Sequence, residues 1–159
     1  MASKSMNEQE LIEFVHEAGL NTYLKAGVMP SAAPYRPGSE EFSYERGEWK
    51  YLDSYAWSQD GGGEEFVYHQ GKVVWVLNYY GFLIGEQDKK EIYGFLHDAL
   101  RLQHPVLPVR GGELEDKERG LRYEIEFVRA EIGNFVGTER IFKGGVKVYE
   151  GYIHGGFVK

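Results

Sequence analysis

Cysteine is absent from this sequence of 159 residues. Disulfides, thiolate nucleophiles, iron–sulfur clusters and cysteine-ligated zinc are therefore excluded, and the absence is typical of a reducing compartment. Long apolar runs are also missing, because the longest, Val73–Leu77, is far shorter than the roughly 20 residues that cross a membrane. The first residues carry no apolar segment of a signal peptide. We therefore expect a cytoplasmic protein with no membrane partner.

Basic residues are scarce, since 18 Lys and Arg stand against 25 Asp and Glu and the formal net charge is −7. Proteins bind a nucleic-acid backbone through a stripe of Lys and Arg that displaces counterions, and neither half of this sequence carries one. Direct binding of DNA or RNA is therefore not expected. The charge favours a small neutral or cationic ligand, or a protein partner such as a second copy of this chain in a homodimer.

Proline is rare as well, with 5 residues, whereas glycine is abundant, with 21. This combination is typical of tight turns between antiparallel strands. Hydrophobic residues make up 42% of the sequence and aromatic residues 15%, which argues for a folded core. Length and composition together predict a single domain over residues 1–159.

The pattern of caps and apolar residues predicts two helices. Asn7 and Glu10 are spaced as a capping box, and apolar residues then recur on one helical face as far as Gly19. Asp88 and Glu91 repeat the arrangement at the start of a second amphipathic segment. Alternation predicts three strands after each helix. These strands are Trp49–Trp57, Glu65–His69 and Val73–Tyr80 in the first half, and Arg122–Glu131, Gly137–Phe142 and Val146–His154 in the second.

The two halves match each other when the first is shifted by 74 positions. The shift pairs Glu65 with Glu139 and Gly81 with Gly155, and it superposes other glycine and aromatic positions. We therefore predict an α+β fold from two copies of a helix-plus-three-strand unit, residues 7–84 and 88–159. The strands would form an antiparallel sheet with the helices on one face. A six-stranded, barrel-like sheet is the alternative.

Five segments together resemble a known family. They are FVHEAGLNTY (14–23), WKYLDSY (49–55), GKVVWVLNYYG (71–81), LPVRG (107–111) and KVYEGYIHGGFVK (147–159). The family is an uncharacterised bacterial and archaeal domain of unknown function, whose members often follow a helix-turn-helix of the Xre type. About a dozen residues precede the resemblance here, so it implies a stand-alone form that would act on transcription through a separate partner. The resemblance implies no catalytic or binding residues.

The first predicted strand of the first half carries the first candidate site. Because side chains alternate along a strand, Trp49, Tyr51, Asp53 and Tyr55 share one face. A carboxylate among aromatic rings is typical of a site for a cationic or hydroxylated ligand. The alternative is a structural Asp53 that is satisfied by backbone amides or by an arginine such as Arg110.

A second candidate group comes from the last strand of each half. Asn78 and Tyr80 share a face there, and the 74-residue shift makes Tyr152 and His154 their counterparts. These residues predict a pocket near a pseudo-twofold axis, in which His154 is a base or a ligand contact. The alternative is a hydrogen-bonded structural histidine.

Other chemical groups carry weaker signals. Glu65 and Glu139 begin equivalent predicted strands, where paired carboxylates can perform acid–base chemistry, but carboxylates at strand starts usually face water and we expect that here. The spacing of His97 and His104 is not that of metal ligands. Acidic residues follow the glycines at 61–63, which excludes a phosphate-binding loop. We expect no metal and no cofactor.

Three functions remain after these observations. The first is a module that binds or senses a small molecule through Asp53, Asn78, Tyr80 and His154. The second is a structural or protein-interaction domain, and the third is a hydrolase that uses a carboxylate and His154. The sequence favours the first and gives the enzyme the least support.

Overall fold

The computed structural model describes residues 6–159, so the first five residues of the predicted domain lie outside the described residues. Two helices and eight strands follow one another in this described part of the chain. Their bounds are α1 Glu8–Asn21, β1 Glu40–Arg46, β2 Trp49–Trp57, β3 Gly61–His69, β4 Lys72–Leu83, α2 Lys89–Arg101, β5 Leu114–Asp116, β6 Leu121–Glu131, β7 Asn134–Lys143 and β8 Val146–Phe157.

Both helices begin at the predicted caps. The Asn7 side chain accepts a hydrogen bond from the backbone N–H of Gln9 at 2.9 Å. The Asp88 carboxylate accepts from the backbone N–H groups of Lys90 and Glu91. Each cap satisfies N–H groups that the first helical turn leaves free. Neither helix, in the described part of the chain, has the length and apolar character to cross a membrane.

The strands form one open antiparallel sheet in the order β1-β2-β3-β4-β8-β7-β6-β5. The α+β antiparallel class is confirmed, but the predicted six strands are wrong, because an edge strand precedes each group of three. The edge strand β1 reads EEFSYER and β5 has only 3 residues. Such charged or short segments carry little hydrophobic alternation, which explains why the sequence did not predict them.

One face of the sheet, here called the inner face, is packed into the core. Helix α1 contacts β1 and β2, and α2 contacts β6 and α1. Phe14 of α1 and Phe95 of α2 belong to the same buried cluster as Trp75, Tyr51 and Ile153 of the strands.

The opposite face, here called the outer face, is more open. Tyr80 and Tyr152 are among its exposed residues and lie directly opposite each other in the central pair of strands, β4 and β8. The central part of the outer face is therefore in contact with solvent, whereas the inner face is covered by the helices.

Candidate functional site

Two carboxylates face each other on the inner face. Asp53 of β2 and Glu65 of β3 are direct cross-strand partners, and their exposed fractions are 3% and 4%. Opposite residues of an antiparallel pair share a face, and like charges in that position destabilise the sheet. We refer to Asp53 and Glu65 as the acidic pair.

The acidic pair has few hydrogen-bond donors. The Tyr79 hydroxyl donates to Asp53 Oδ1 at 2.8 Å. Glu65 accepts none of the hydrogen bonds found among residues 6–159. The buried Tyr51 hydroxyl lies beside Glu65 and lowers the pKa of Glu65 as a hydrogen-bond donor does, although the geometry is not that of an ordinary hydrogen bond. Glu65 is thus a buried carboxylate with no ion-pair partner and no hydrogen bond of ordinary geometry among the described residues, an arrangement that proteins normally avoid.

Burial raises the pKa of both members of the acidic pair. For Asp53 this effect outweighs the Tyr79 hydrogen bond and the charge of Arg110, which lower the pKa. For Glu65 the charge of Asp53 adds to the effect of burial, whereas the charge of Arg110 and the Tyr51 hydroxyl oppose it. The pair therefore holds a proton at pH values where exposed carboxyls are fully ionised.

Arg110, the arginine that the sequence offered as a partner for Asp53, is bound elsewhere. Its guanidinium forms a bidentate ion pair with Glu139, in which Nη2 lies 2.9 Å from Oε2. The Tyr123 hydroxyl donates to the same carboxylate at 2.9 Å. Arg110 lies in the loop between α2 and β5, where its N–H donates to the carbonyl of Leu107. The alternative that Arg110 satisfies Asp53 is therefore wrong.

The expectation that Glu65 and Glu139 face water is also wrong, because both are buried. The residues two positions farther along their strands explain this placement. Val67 and Ile141 are fully buried, and side chains two apart in a strand share a face. This alternation is the signal in the sequence that could have placed both carboxylates inside.

The acidic pair lines a cavity of about 400 Å³, here called the inner cavity. This volume lies within the range of small-molecule sites. Arg110 also lines it, together with Lys89 and His97 of α2. The rest of the wall includes Glu40, Leu96 and Leu100, but most of it is aromatic. The aromatic residues are Tyr23, Phe42, Tyr55, Trp57, Tyr79, Tyr93 and Tyr149. The inner cavity therefore combines a buried acidic pair with a nearly continuous aromatic wall.

Two glycines leave room for tyrosine rings of this wall. A Cβ atom on Gly63 would lie 2.7 Å from the Tyr79 hydroxyl, and one on Gly81 would lie closer still to the Tyr149 hydroxyl. Real Cβ atoms do not approach other atoms so closely. The absence of a side chain at these two positions allows the rings of Tyr79 and Tyr149 to reach the cavity.

A larger, open groove of about 870 Å³ lies beside the loop that precedes β1. Its charged groups are already paired, since Arg36 forms an ion pair with Glu64 and the carboxylate of Glu41 accepts from the backbone N–H of Tyr35. The buried Ser54 hydroxyl in its wall has no partner. Because its charges are satisfied, this groove offers less to a ligand than the inner cavity does.

The nine residues that the sequence offered as ligand contacts fall into separate places. Asp53, Tyr55 and Arg110 line the inner cavity. Tyr51 is buried on the same face, beside Glu65. Trp49 lies at the far end of β2, where it stacks on His69 with ring centroids 4.3 Å apart, outside the cavity wall.

The other four residues lie on the outer face. Asn78 is the direct partner of His154, and Tyr80 is the direct partner of Tyr152, so each pair is brought together as expected. However, Asn78 and His154 share their row across the sheet with Glu64, the neighbour of Glu65. A shift of one residue places side chains on the other face. The two candidate groups therefore lie on opposite faces, and Asp53 and His154 do not contribute to one site.

Several cavity residues were not among the sequence candidates. Tyr79 lies two residues after the buried Leu77 in β4, so the two side chains share a face. This alternation could have predicted that Tyr79 points inward. Tyr93 and His97 are four residues apart, so they share a side of α2 next to its apolar stripe. Tyr23 follows α1, and its ring contacts His97 at a centroid distance of 6.0 Å. No local pattern indicates this last contact, since it depends on the packing of the two helices.

A metal site is not apparent at this position. No group of three or more Asp, Glu, His or Cys residues in the described range, 6–159, has an arrangement that would hold a metal ion. The chemistry that the inner cavity offers is that of hydrogen bonding, charge and aromatic contact.

Comparison with known proteins identifies the family but gives no function. Residues 53–158 match the family described as Domain of unknown function (DUF5680), and the chain belongs to this family. No curated protein and no solved structure matches the chain. The matched region begins at Asp53 and includes Glu65, Arg110 and Glu139.

Proposed function

We propose that this chain is a small-molecule-binding domain whose ligand occupies the inner cavity and contacts the acidic pair. The observation that carries the proposal is Glu65, a carboxylate with an exposed fraction of 4% that lines the cavity and accepts no hydrogen bond within residues 6–159. A buried carboxylate without a well-formed hydrogen bond is unfavourable. A ligand that supplies a further donor reduces this unfavourable term.

The position of His154 favours binding over hydrolysis. The hydrolase alternative combines His154 with one of the carboxylates singled out in the sequence, which are Asp53, Glu65 and Glu139. His154 lies on the outer face, and these three buried carboxylates lie on the inner face. The backbone of the sheet separates them. A general base must lie within hydrogen-bond reach of the group that it serves.

The role in the cell that fits this site is sensing. A cytoplasmic ligand would stabilise the domain, and a separate regulatory partner would respond to the ligand-bound form. The support for the partner is the family resemblance to domains that follow Xre-type helix-turn-helix modules. An interaction domain without a ligand is the competing proposal, and the exposed tyrosines of the outer face favour it.

We further propose that the chain arose by duplication of a unit with its helix on the inner face. Strands β4 and β8 have 12 residues each and begin 74 positions apart, at Lys72 and Val146. The β-bulges that precede the ends of β3 and β7, at Val67/Tyr68 and Ile141/Phe142, follow the same spacing. Within this scheme only the first half carries the acidic pair.

A thermal-shift screen of the purified protein against a metabolite library, with native mass spectrometry of the untreated protein, tests the binding function. We expect a ligand that raises the melting temperature of the wild type by several degrees. The shift should persist in Glu64→Gln, whose side chain lies on the outer face, and disappear in Glu65→Gln and Asp53→Asn. Equal shifts in all four proteins would reject the inner cavity, and a library without any ligand would favour the interaction domain.

A further inference from the structure

We infer that the ligand of the inner cavity is an organic cation, an amine or alkylated ammonium, whose charge lies against Asp53 and Glu65. This inference rests on the proposed binding function and adds to it the chemical class of the ligand and a dependence on pH.

The buried charged residues around the inner cavity carry more negative than positive charge. Four charged side chains approach one another here, namely Asp53, Glu65, Glu139 and Arg110, and each is at least nine-tenths buried. Three are acidic and one is basic, and Glu139 binds the one guanidinium, that of Arg110, through Nε and Nη2. Two carboxylates therefore remain without a positive partner among the buried residues of the described chain. A buried charge without a partner binds a proton or a cation.

The titratable groups on the surrounding elements do not supply this charge. Burial raises the pKa of Tyr23 after α1, of Tyr51 on β2 and of Tyr79 on β4, so these hydroxyls are neutral. Burial lowers the pKa of His97 on α2, which keeps the imidazole neutral at physiological pH. Glu40, which begins β1, and Lys89, which begins α2, also line the cavity, and both are exposed.

The aromatic wall suits a cation that carries apolar substituents. Trp57 contacts the edge of Tyr93 at a centroid distance of 5.0 Å, and Tyr93 contacts Tyr149 at 5.9 Å. Trp57 also lies 6.3 Å from Tyr79, the tyrosine that is hydrogen-bonded to Asp53. Rings that line a site beside carboxylates attract alkylated ammonium groups through their faces. Phosphate and carboxylate ligands would be repelled by the acidic pair.

Exchange of a proton for the ligand makes the affinity depend on pH. When the acidic pair holds one proton, a bound ammonium ion releases that proton to the solvent, and no covalent bond other than the carboxyl O–H bond changes. Binding should therefore strengthen with rising pH, by at most about tenfold per unit for each proton released. A quaternary ammonium ligand shows this dependence without its own titration.

Isothermal titration calorimetry of the full chain with matched probes tests the inference. The cationic probes are tetramethylammonium, benzylamine and 1,4-diaminobutane, and their neutral counterparts are tert-butanol, benzyl alcohol and 1,4-butanediol. Measurements at about pH 6 and about pH 8, in two buffers of different ionisation enthalpy, report proton release. We expect at least one cation to bind about tenfold or more tightly than its counterpart, with higher affinity at the higher pH and about one proton released.

Variants keep the test independent of folding. Glu65→Gln is nearly isosteric and should fold, but it should lose most of the preference for the cation and the proton release. Glu64→Gln, one residue away on the other face, should match the wild type.

Equal affinity for cation and neutral counterpart, or binding without pH dependence, would overturn the inference and leave the binding function intact. A neutral or anionic ligand from the library screen that requires Glu65 would overturn it in the same way. If neither the probes nor the library bind, both proposals are rejected.

Discussion

Glu65 in β3 and Glu139 in β7 lie 74 residues apart in the two halves of this chain, and both are buried. In the second half, Glu139 faces Ile125 across the strand pair and is bonded by Arg110 and Tyr123. In the first half, Glu65 faces Asp53 and accepts no hydrogen bond among the described residues. One carboxylate is part of a completed ion pair, and the other is open to a cavity.

This difference separates a structural role from a binding role. A buried acid by itself indicates neither, because a bidentate arginine and a hydroxyl can satisfy it completely, as they do at Glu139. The informative property is a carboxylate whose capacity for hydrogen bonds is unused beside a space large enough for a ligand. Of Glu65 and Glu139, only Glu65 meets this condition.

The largest expected effect on stability concerns Glu139, which forms the ion pair with Arg110. Glu139→Gln leaves the guanidinium of Arg110 buried without a counter-charge, so we expect the free energy of unfolding to fall by about 3–5 kcal/mol in urea denaturation. The double variant Arg110→Met/Glu139→Gln should recover part of this loss. If Glu139→Gln lowers the free energy of unfolding by less than about 1 kcal/mol, the ion pair of Glu139 does not distinguish it from Glu65.

The second-largest effect concerns Gly81, which leaves room for the Tyr149 ring at the inner cavity. Gly81→Ala places a methyl group against the Tyr149 hydroxyl, so we expect a loss of about 1–3 kcal/mol of stability and weaker ligand binding. Gly94→Ala is the matched control, because a Cβ atom there contacts nothing within 4 Å on an exposed part of α2. This control should gain about 0.5–1 kcal/mol. Equal behaviour of the two variants would contradict the close packing of Tyr149.

A smaller effect, a gain of stability instead of a loss, is expected when Glu65 is replaced. A carboxyl whose pKa is higher in the folded than in the unfolded chain stabilises fully below the ordinary value near 4, and this stabilisation is lost as the pH rises through the raised value. Because burial raises the pKa of Asp53 and Glu65, the wild type should lose stability from about pH 4 towards and beyond neutral pH.

Glu65→Gln removes one member of the pair and should flatten this pH dependence. At about pH 8 we expect the variant to be more stable than the wild type by the order of 1 kcal/mol, measured by urea denaturation across the pH range. A wild type that gains stability over this range would contradict the raised pKa values. Asp53→Asn should behave like Glu65→Gln.

The smallest effect is expected on the outer face. His154→Ala should change the free energy of unfolding by no more than about 0.5 kcal/mol and should leave ligand binding unchanged, because His154 is exposed on the face opposite the cavity. Titration of both proteins with the ligand from the screen provides the measurement. Loss of binding in this variant would move the site to the outer face.

Local patterns in the sequence determined the elements that depend on near neighbours. The caps at Asn7 and Asp88 and the apolar stripes behind them predicted α1 and α2, since capping bonds link residues two or three positions apart. Alternation predicted β2, β6 and β8, and the segment beginning at Gly71 contributed to a family resemblance that the matched region, residues 53–158, supports. Asp53 was identified because its neighbours on the strand face are aromatic.

Tertiary structure alone decided which of these residues form a site. The pairing of Asp53 with Glu65 depends on the register of two strands, and the capture of Arg110 by Glu139 joins residues 29 positions apart. The separation of His154 from Asp53 depends on the register of β3, β4 and β8. A shift of one residue in this register would place a side chain on the opposite face of the sheet. Alternation shows which residues share a face within one strand, but the alignment of distant strands decides which faces meet around a cavity.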